Sequence, residues 1–113
     1  TVHQSPGALS GSPGEKVEVE CTIEGSSNPA DRLFWYRQYR GEGLHNLFYS
    51  FGVNDVQSSK SPAGFTAERP RSHVFFLKST DLKADLPAEY FCAWTQPGVY
   101  EATFGNGTKV VVL

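Results

Sequence analysis

The chain has 113 residues, with 12 acidic and 10 basic side chains and a formal net charge of −2. This length fits one domain over residues 1–113, in which a covalent cross-link would add appreciably to stability. So small a charge offers no long-range attraction to nucleic acid or to an anionic membrane, and no run approaches the roughly 20 apolar residues of a membrane-spanning helix. We therefore predict no nucleic-acid partner and no direct membrane insertion by this segment, and we expect any leader or anchor to lie outside it.

Short strands account for most of the chain. Residues 16–24 alternate strictly between apolar and polar side chains, which indicates a strand with one solvent-facing side. Pro, Gly, Ser or Asp separates the further strands, which we predict at 33–38, 44–49, 65–67, 73–77, 89–94 and from 102 onward. A short helical turn near residues 81–85 is the one competing element. Many short strands with turns between them predict a β-sandwich or barrel.

The two cysteines decide between these folds. Cys21 and Cys92 lie on separate strands with Trp35 between them, and Tyr90 stands two residues before the second cysteine. This is the Cys…Trp…Cys arrangement of an immunoglobulin sandwich, with a tyrosine in the corner position. The cysteines could pair in an oxidising compartment or remain buried thiols in the cytosol, and the arrangement favours the bridge. We predict an all-β, immunoglobulin-like sandwich of two antiparallel sheets with Greek-key connections, one inter-sheet disulfide and Trp35, Leu77 and Tyr90 in its core.

Patterns typical of enzymes are missing from the sequence. His3, His45 and His73 are isolated, and none stands at a metal-ligand spacing with Cys, Asp or Glu. No nucleophile elbow and no phosphate-binding glycine loop occurs. We therefore predict no catalytic residue, no metal site, no cofactor and no enzymatic activity.

Motifs spread over the whole chain resemble the variable domain of a T-cell receptor β chain, a V-type immunoglobulin domain. They are Gln4-Ser5-Pro6, Trp35-Tyr36-Arg37-Gln38, Gly43-Leu44, Tyr90-Phe91-Cys92-Ala93, Phe104-Gly105-Asn106-Gly107-Thr108 and Val112-Leu113. The β type is favoured because antibody light chains more often carry Trp-Tyr-Gln-Gln and γ chains more often carry Phe-Ala. The resemblance implies an antigen-recognition domain, extracellular, in the ectodomain of a plasma-membrane receptor.

The resemblance also implies a pairing surface. The Phe-Gly-x-Gly motif would form a bulge in the last strand and place Phe104 against a partner domain, the α-chain variable domain. If Trp35 points inward, its neighbours on the strand point outward and form an uncharged surface patch with residues from other strands. The predicted interface residues are Tyr36, Gln38, Leu44, Tyr49, Phe91 and Phe104.

Three loops at one end would carry recognition of a peptide presented by a histocompatibility (MHC) molecule. The first loop runs over residues 26–32, with candidate contacts at Asn28, Pro29, Ala30, Asp31 and Arg32. The second comprises Phe51, Gly52, Val53, Asn54 and Asp55. The third, which would be the rearranged junction, comprises Thr95, Gln96, Pro97, Gly98, Val99, Tyr100 and Glu101. We expect residues 96–100 to face the peptide and Trp94 to support the third loop by packing.

Two features depart from the family or fall outside its motifs. Gly64 and Leu86 stand where β domains usually carry an Arg and an Asp that pair across the base of the sandwich, and their joint replacement predicts a compensated change. Arg69-Pro70-Arg71 is interpreted as a solvated basic loop.

Two other functions remain open from the sequence. One is a λ-like antibody light-chain variable domain that binds antigen with a heavy chain. The other is a non-rearranged V-type adhesion or co-receptor domain at the cell surface.

Overall fold

The computed structural model describes residues 1–25, 28–59, 62–82 and 87–113, and it contains no helix in these ranges. Accordingly, none of the described residues belongs to a helix that could cross a membrane. The strands are β1 (Val2–Ser5), β2 (Ala8–Gly11), β3 (Val17–Ile23), β4 (Arg32–Tyr39), β5 (His45–Gly52), β6 (Asp55–Ser58), β7 (Phe65–Arg71), β8 (Val74–Ser79), β9 (Ala88–Thr95), β10 (Thr103–Phe104) and β11 (Thr108–Val112).

Among the described residues, these strands form two sheets. The four-stranded sheet has the order β1-β3-β8-β7, and the larger sheet has the order β2-β11-β9-β4-β5-β6, with β10 also paired to β9. The chain changes sheets between β1 and β2, at Ser5, Pro6 and Gly7, and the Ser5–Pro6 peptide bond is cis. As a result β2 runs parallel to β11, whereas the other strand pairs in the described ranges are antiparallel.

Alternation along the strands determines which side chains fill the space between the sheets. In β3, Val19, Cys21 and Ile23 are buried while the glutamates between them are exposed, because successive side chains of a strand project to opposite faces. The disulfide joins Cys21 of β3 to Cys92 of β9 across the sandwich. The predicted fold class and its bridge are thus confirmed. Trp35, Leu77 and Tyr90 all lie buried in the core cluster.

The closing glycines follow from close approach and backbone conformation. At Gly105 a Cβ atom would overlap the side-chain amide of Gln4, and Gly107 has a φ of 92°, which favours glycine. The Gln4 amide fills the gap between β10 and β11: its Oε1 accepts from the Gly107 N–H at 3.1 Å and from the Cys92 N–H at 3.0 Å. Its Nε2 donates to the Tyr90 carbonyl at 2.9 Å.

Gly64 also has a backbone reason to be glycine. Its φ is 78°, and a Cβ atom there would lie 3.1 Å from the Asp81 carbonyl oxygen. Its own carbonyl accepts a hydrogen bond from the Thr80 N–H at 2.8 Å. Leu86, the other half of the replaced charge pair, lies outside the described residues, as do Ser26 and Ser27 of the first loop and most of the helical turn predicted at 81–85.

Candidate functional site

The predicted interface residues share the outer face of the larger sheet. Residues directly opposite each other in antiparallel strands project to the same side. Tyr36 lies opposite Phe91 on the neighbouring strand, and Phe104 lies opposite Ala93, which in turn lies opposite Phe34. We call this surface the outer patch: Tyr36, Gln38, Leu44, Tyr49, Phe91 and Phe104.

The outer patch is apolar, aromatic and partly open to solvent. Leu44 and Phe104 are each 42% exposed, and both line a shallow groove with Gln38 and Phe91. The ring centroids of Tyr36 and Phe104 are 5.7 Å apart, and partial burial raises the pKa of the Tyr36 hydroxyl. None of the six side chains carries a charge at neutral pH, so burial of this surface against a partner would strand no charge.

Phe34, which the sequence analysis did not assign to the patch, extends it toward the second loop. Its ring lies 6.0 Å from that of Tyr36 and 6.3 Å from that of Phe51, measured between centroids. Tyr49 continues the row, because its ring lies 5.2 Å from that of Phe51. The signal was available in the alternation of β4, where Phe34 has the same parity as Tyr36.

The third loop ends in a tight turn that exposes its tip. The Val99 N–H donates to the Gln96 carbonyl at 3.0 Å, and Gly98 has a φ of 78°. Proline followed by a glycine with positive φ, closed by this hydrogen bond, is the signature of a type II turn. Beyond the turn Tyr100 is fully exposed. The loop is shorter than predicted, because Thr95 pairs with Arg32 as the last residue of β9 and is buried.

The second loop is also shorter than predicted. Phe51 and Gly52 belong to β5 and Asp55 begins β6, so only Val53 and Asn54 form the connection. Asn54 has a φ of 60°, a conformation that asparagine tolerates better than most residues. Its N–H donates to the Arg69 carbonyl at 2.8 Å, which ties this turn to β7 of the opposite sheet.

The first loop contains a residue that faces inward. The Asp31 N–H donates to the Asn28 carbonyl at 2.8 Å, which closes a turn over Pro29 and Ala30. Asn28, Pro29 and Ala30 are exposed, but Asp31 is only 1% exposed. A ligand above the loops would not reach its carboxylate, so the candidate contact at Asp31 is corrected to a buried support. Arg32 at the start of β4 places its guanidinium 5.1 Å from the centre of the Phe51 ring, which joins the first and second loops.

Beneath the loops lies a buried polar group of residues, the inner cluster: Asp31, Ser50, Arg69 and Trp94. Asp31 Oδ2 accepts from the Trp94 indole Nε1–H at 3.0 Å and from the Asn28 N–H at 2.9 Å. Trp94 lies opposite the buried Leu33 in the β4–β9 register, so its ring turns to the interior side. There it packs against the core cluster, as expected of a support for the third loop.

Arg69 is the main residue that the sequence misrepresented. The interpretation of residues 69–71 as a solvated loop is wrong for Arg69, which lies within β7 and is 1% exposed. Its Nη1 donates to the Asp31 carbonyl at 2.8 Å, and its Nη2 donates to the Ser72 carbonyl at 2.8 Å. Burial lowers the pKa of Arg69, and the negative charges of Asp31 and Asp55 oppose that shift. Burial of an arginine requires such partners.

The described ranges hold no group of three or more His, Cys, Asp or Glu side chains that could bind a metal ion. The chemistry of the molecule therefore resides in two surfaces, the outer patch and the exposed loop tips, and in the inner cluster beneath those tips.

Comparison with known proteins agrees on one family. A model of the immunoglobulin V-set domain matches residues 4–113. The chain is similar to T cell receptor beta variable 30 of Homo sapiens, with 43% identity over 95 residues, covering 84% of this chain and 83% of the relative. It is also similar to T-cell receptor beta chain V region C5 of Mus musculus, with 34% identity over 114 residues, 99% of this chain and 91% of the relative. T-cell receptor alpha chain V region PHDS58 of Mus musculus is 35% identical over 115 residues, 100% of this chain and 84% of the relative.

Proposed function

Since the chain belongs to the immunoglobulin V-set family and is an antigen-recognition variable domain of a T-cell receptor, of the β type, we propose that it pairs with an α-chain variable domain through the outer patch. The paired loops then bind a peptide displayed by an MHC molecule. Residues 1–113 act as one V-type domain in the extracellular part of a membrane receptor.

The outer patch is the observation that carries this proposal. Interface cores are depleted in charged residues and enriched in aromatic ones, and the patch is built of three kinds of uncharged side chain, aromatic, leucine and glutamine. Its two half-exposed members, Leu44 and Phe104, line one groove with Phe91. Gln38 stands beside this groove and donates to the Glu42 carbonyl at 2.9 Å in the unpaired chain, which leaves its amide oxygen free to accept from a partner.

The exposed loop tips support the second half of the proposal. Val99 and Tyr100 project beyond the type II turn of the third loop, and Val53 is exposed in the second. Tyrosine supplies a large contact area at low conformational-entropy cost, which suits a binding loop. We propose that residues 96–100 contact the peptide and that the exposed residues of the first two loops contact the MHC molecule around it. The affinity is then determined by loop surface rather than by any reacting group.

Pairing is tested by light scattering on a size-exclusion column, with the oxidised chain alone and then mixed with T-cell receptor α variable domains. We expect a 1:1 heterodimer. Phe104→Glu should weaken pairing by about 30-fold or more, since a buried aromatic anchor at an interface is worth about 2 kcal/mol or more. Thr66→Glu adds the same charge on the outer face of the four-stranded sheet and should leave pairing unchanged.

The outcomes separate this function from its alternatives. A chain that ignores α domains and pairs with an antibody heavy-chain variable domain would favour the light-chain function. If it pairs with neither, or if Thr66→Glu weakens pairing as much as Phe104→Glu does, the proposal is overturned. For the paired domains, Tyr100→Ala should abolish staining by any peptide–MHC multimer that binds the parent, whereas Thr66→Glu should not.

A further inference from the structure

The inner cluster connects all three loop roots with a few side chains. Arg69 Nη1 bonds to the backbone carbonyl of Asp31 in the first loop and, at 3.3 Å, to that of Ser50 on β5. Ser50 Oγ donates onward to the Gly52 carbonyl at 2.8 Å, at the root of the second loop. The Arg69 carbonyl meanwhile accepts from the Asn54 N–H in that loop. One side chain from β7 thus holds the backbone of the first two loops.

Asp31 and Trp94 add the third loop to this set. The Trp94 indole N–H donates to Asp31 Oδ2 at 3.0 Å, although the two residues are 63 positions apart in the chain. The same carboxylate oxygen accepts from the Asn28 N–H, so the bond reaches the exposed turn of the first loop. Hydrogen bonds to an ionised carboxylate are stronger than those between neutral groups. A shift of the indole at the root of the third loop therefore acts directly on the first loop.

We propose that Asp31, Arg69 and Trp94 are positioning residues that hold the three antigen loops as one unit. They contact no ligand themselves, yet they determine how the loop tips lie relative to one another. The proposal rests on the proposed function only for the purpose of this coupling, since the coupling itself is a property of the unpaired chain. A change at Trp94 should thus loosen the first loop as well as the third.

The first test is amide hydrogen exchange under native conditions, with Trp94→Phe, which keeps an aromatic ring and removes the N–H donor. We expect the Asn28 and Asp31 amides to exchange about tenfold faster or more than in the parent, as the loss of a bond to a charged group implies. Leu77→Ala is the matched control, because it opens the core from β8 without touching the cluster. It should lower global stability without selective exposure of the first loop.

The second test runs in the opposite direction with Asp31→Ala. The indole Nε1–H resonance of Trp94 should move in the proton–nitrogen spectrum while that of Trp35, the other tryptophan of the chain, stays in place. The Val99 amide, which closes the turn of the third loop, should exchange faster. If this variant does not fold, Trp94→Phe carries the test alone.

Two results would overturn the coupling: unchanged exchange at Asn28 and Asp31 in Trp94→Phe, or the same exchange pattern in Leu77→Ala. No ligand is used in either measurement, so the coupling and the proposed function can fail separately. Coupled loops in a chain that binds no α domain would remove the function and keep the coupling. Independent loops in a chain that does pair would do the reverse.

Discussion

The two outer faces of the sandwich have opposite chemistry although they cover the same core. The outer patch on the larger sheet is aromatic and uncharged. The outer face of the four-stranded sheet carries charges that are already paired, since Lys78 Nζ lies 3.2 Å from Glu68 and 3.7 Å from Glu18. Its one large aromatic, Phe76, lies 5.8 Å below the same ammonium group. A face whose charges are paired within the chain is stable in water, whereas an aromatic face gains by burial against a partner.

Removal of the disulfide should affect both faces most, because it joins the sheets that bear them. The bridge closes a loop over 71 positions, and the double change Cys21→Ala and Cys92→Ala should lower the free energy of unfolding by roughly 4 kcal/mol. Domains of this size have about 5–15 kcal/mol in total. Urea denaturation measures the loss. A decrease below about 1 kcal/mol would mean that packing alone holds the sheets together.

Gly107→Ala should disturb the patch side alone. A residue with a side chain at a φ of 92° is strained, and the added Cβ would press against the Phe91 ring and the Glu89 carboxylate. We expect a loss of about 2 kcal/mol in the free energy of unfolding, together with weaker α pairing through the displaced Phe91. Gly43→Ala is the control, because nothing lies within 4 Å of its Cβ position and its φ is not positive. Equal losses in the two variants would contradict the steric explanation.

Lys78→Met should have the smallest effect and should be confined to the charged face. The hydrogen bond to Glu68, with the charges of Glu68 and Glu18, raises the pKa of Lys78 above its ordinary value of 10.5 against a weaker effect of desolvation. Because the folded pKa is the higher one, the stabilisation is present below 10.5 and is lost as the pH rises through the folded value.

Urea midpoints of the parent and Lys78→Met, compared at neutral and at strongly alkaline pH, measure this contribution. The difference should be small at neutral pH, shrink in high salt because exposed pairs are screened, and disappear at alkaline pH. A difference that persists in high salt and at alkaline pH would mean that Lys78 acts by packing on Phe76 rather than by charge. Pairing with an α domain should not change.

Sequence patterns predicted what depends on neighbours in the chain. The alternation of β3 and the parity of Trp35 and Tyr36 on β4 follow from the two-residue period of a strand, so core and outer face could both be assigned. The segments that were missed, β1, β2 and β6, are four-residue strands at or near sheet edges with little alternation.

What the sequence could not predict depends on distant residues. Arg69 was assigned to a solvated loop because charged side chains are mostly exposed, and its burial depends on a carbonyl 38 positions away. Asp31 faces inward for the same reason, since its partner Trp94 comes from another strand. Gln4 was noticed only as part of a family motif, whereas its amide bonds to β9 over 86 positions.

The most direct test of the account is hydroxyl-radical footprinting of the aromatic side chains, read by mass spectrometry, with and without a T-cell receptor α variable domain. Phe104, Phe91 and Tyr36 should be protected in the mixture, whereas Phe76 on the charged face should be oxidised equally in both samples. A heterodimer that protects Phe76 and leaves Phe104 open would contradict the assignment of the two faces.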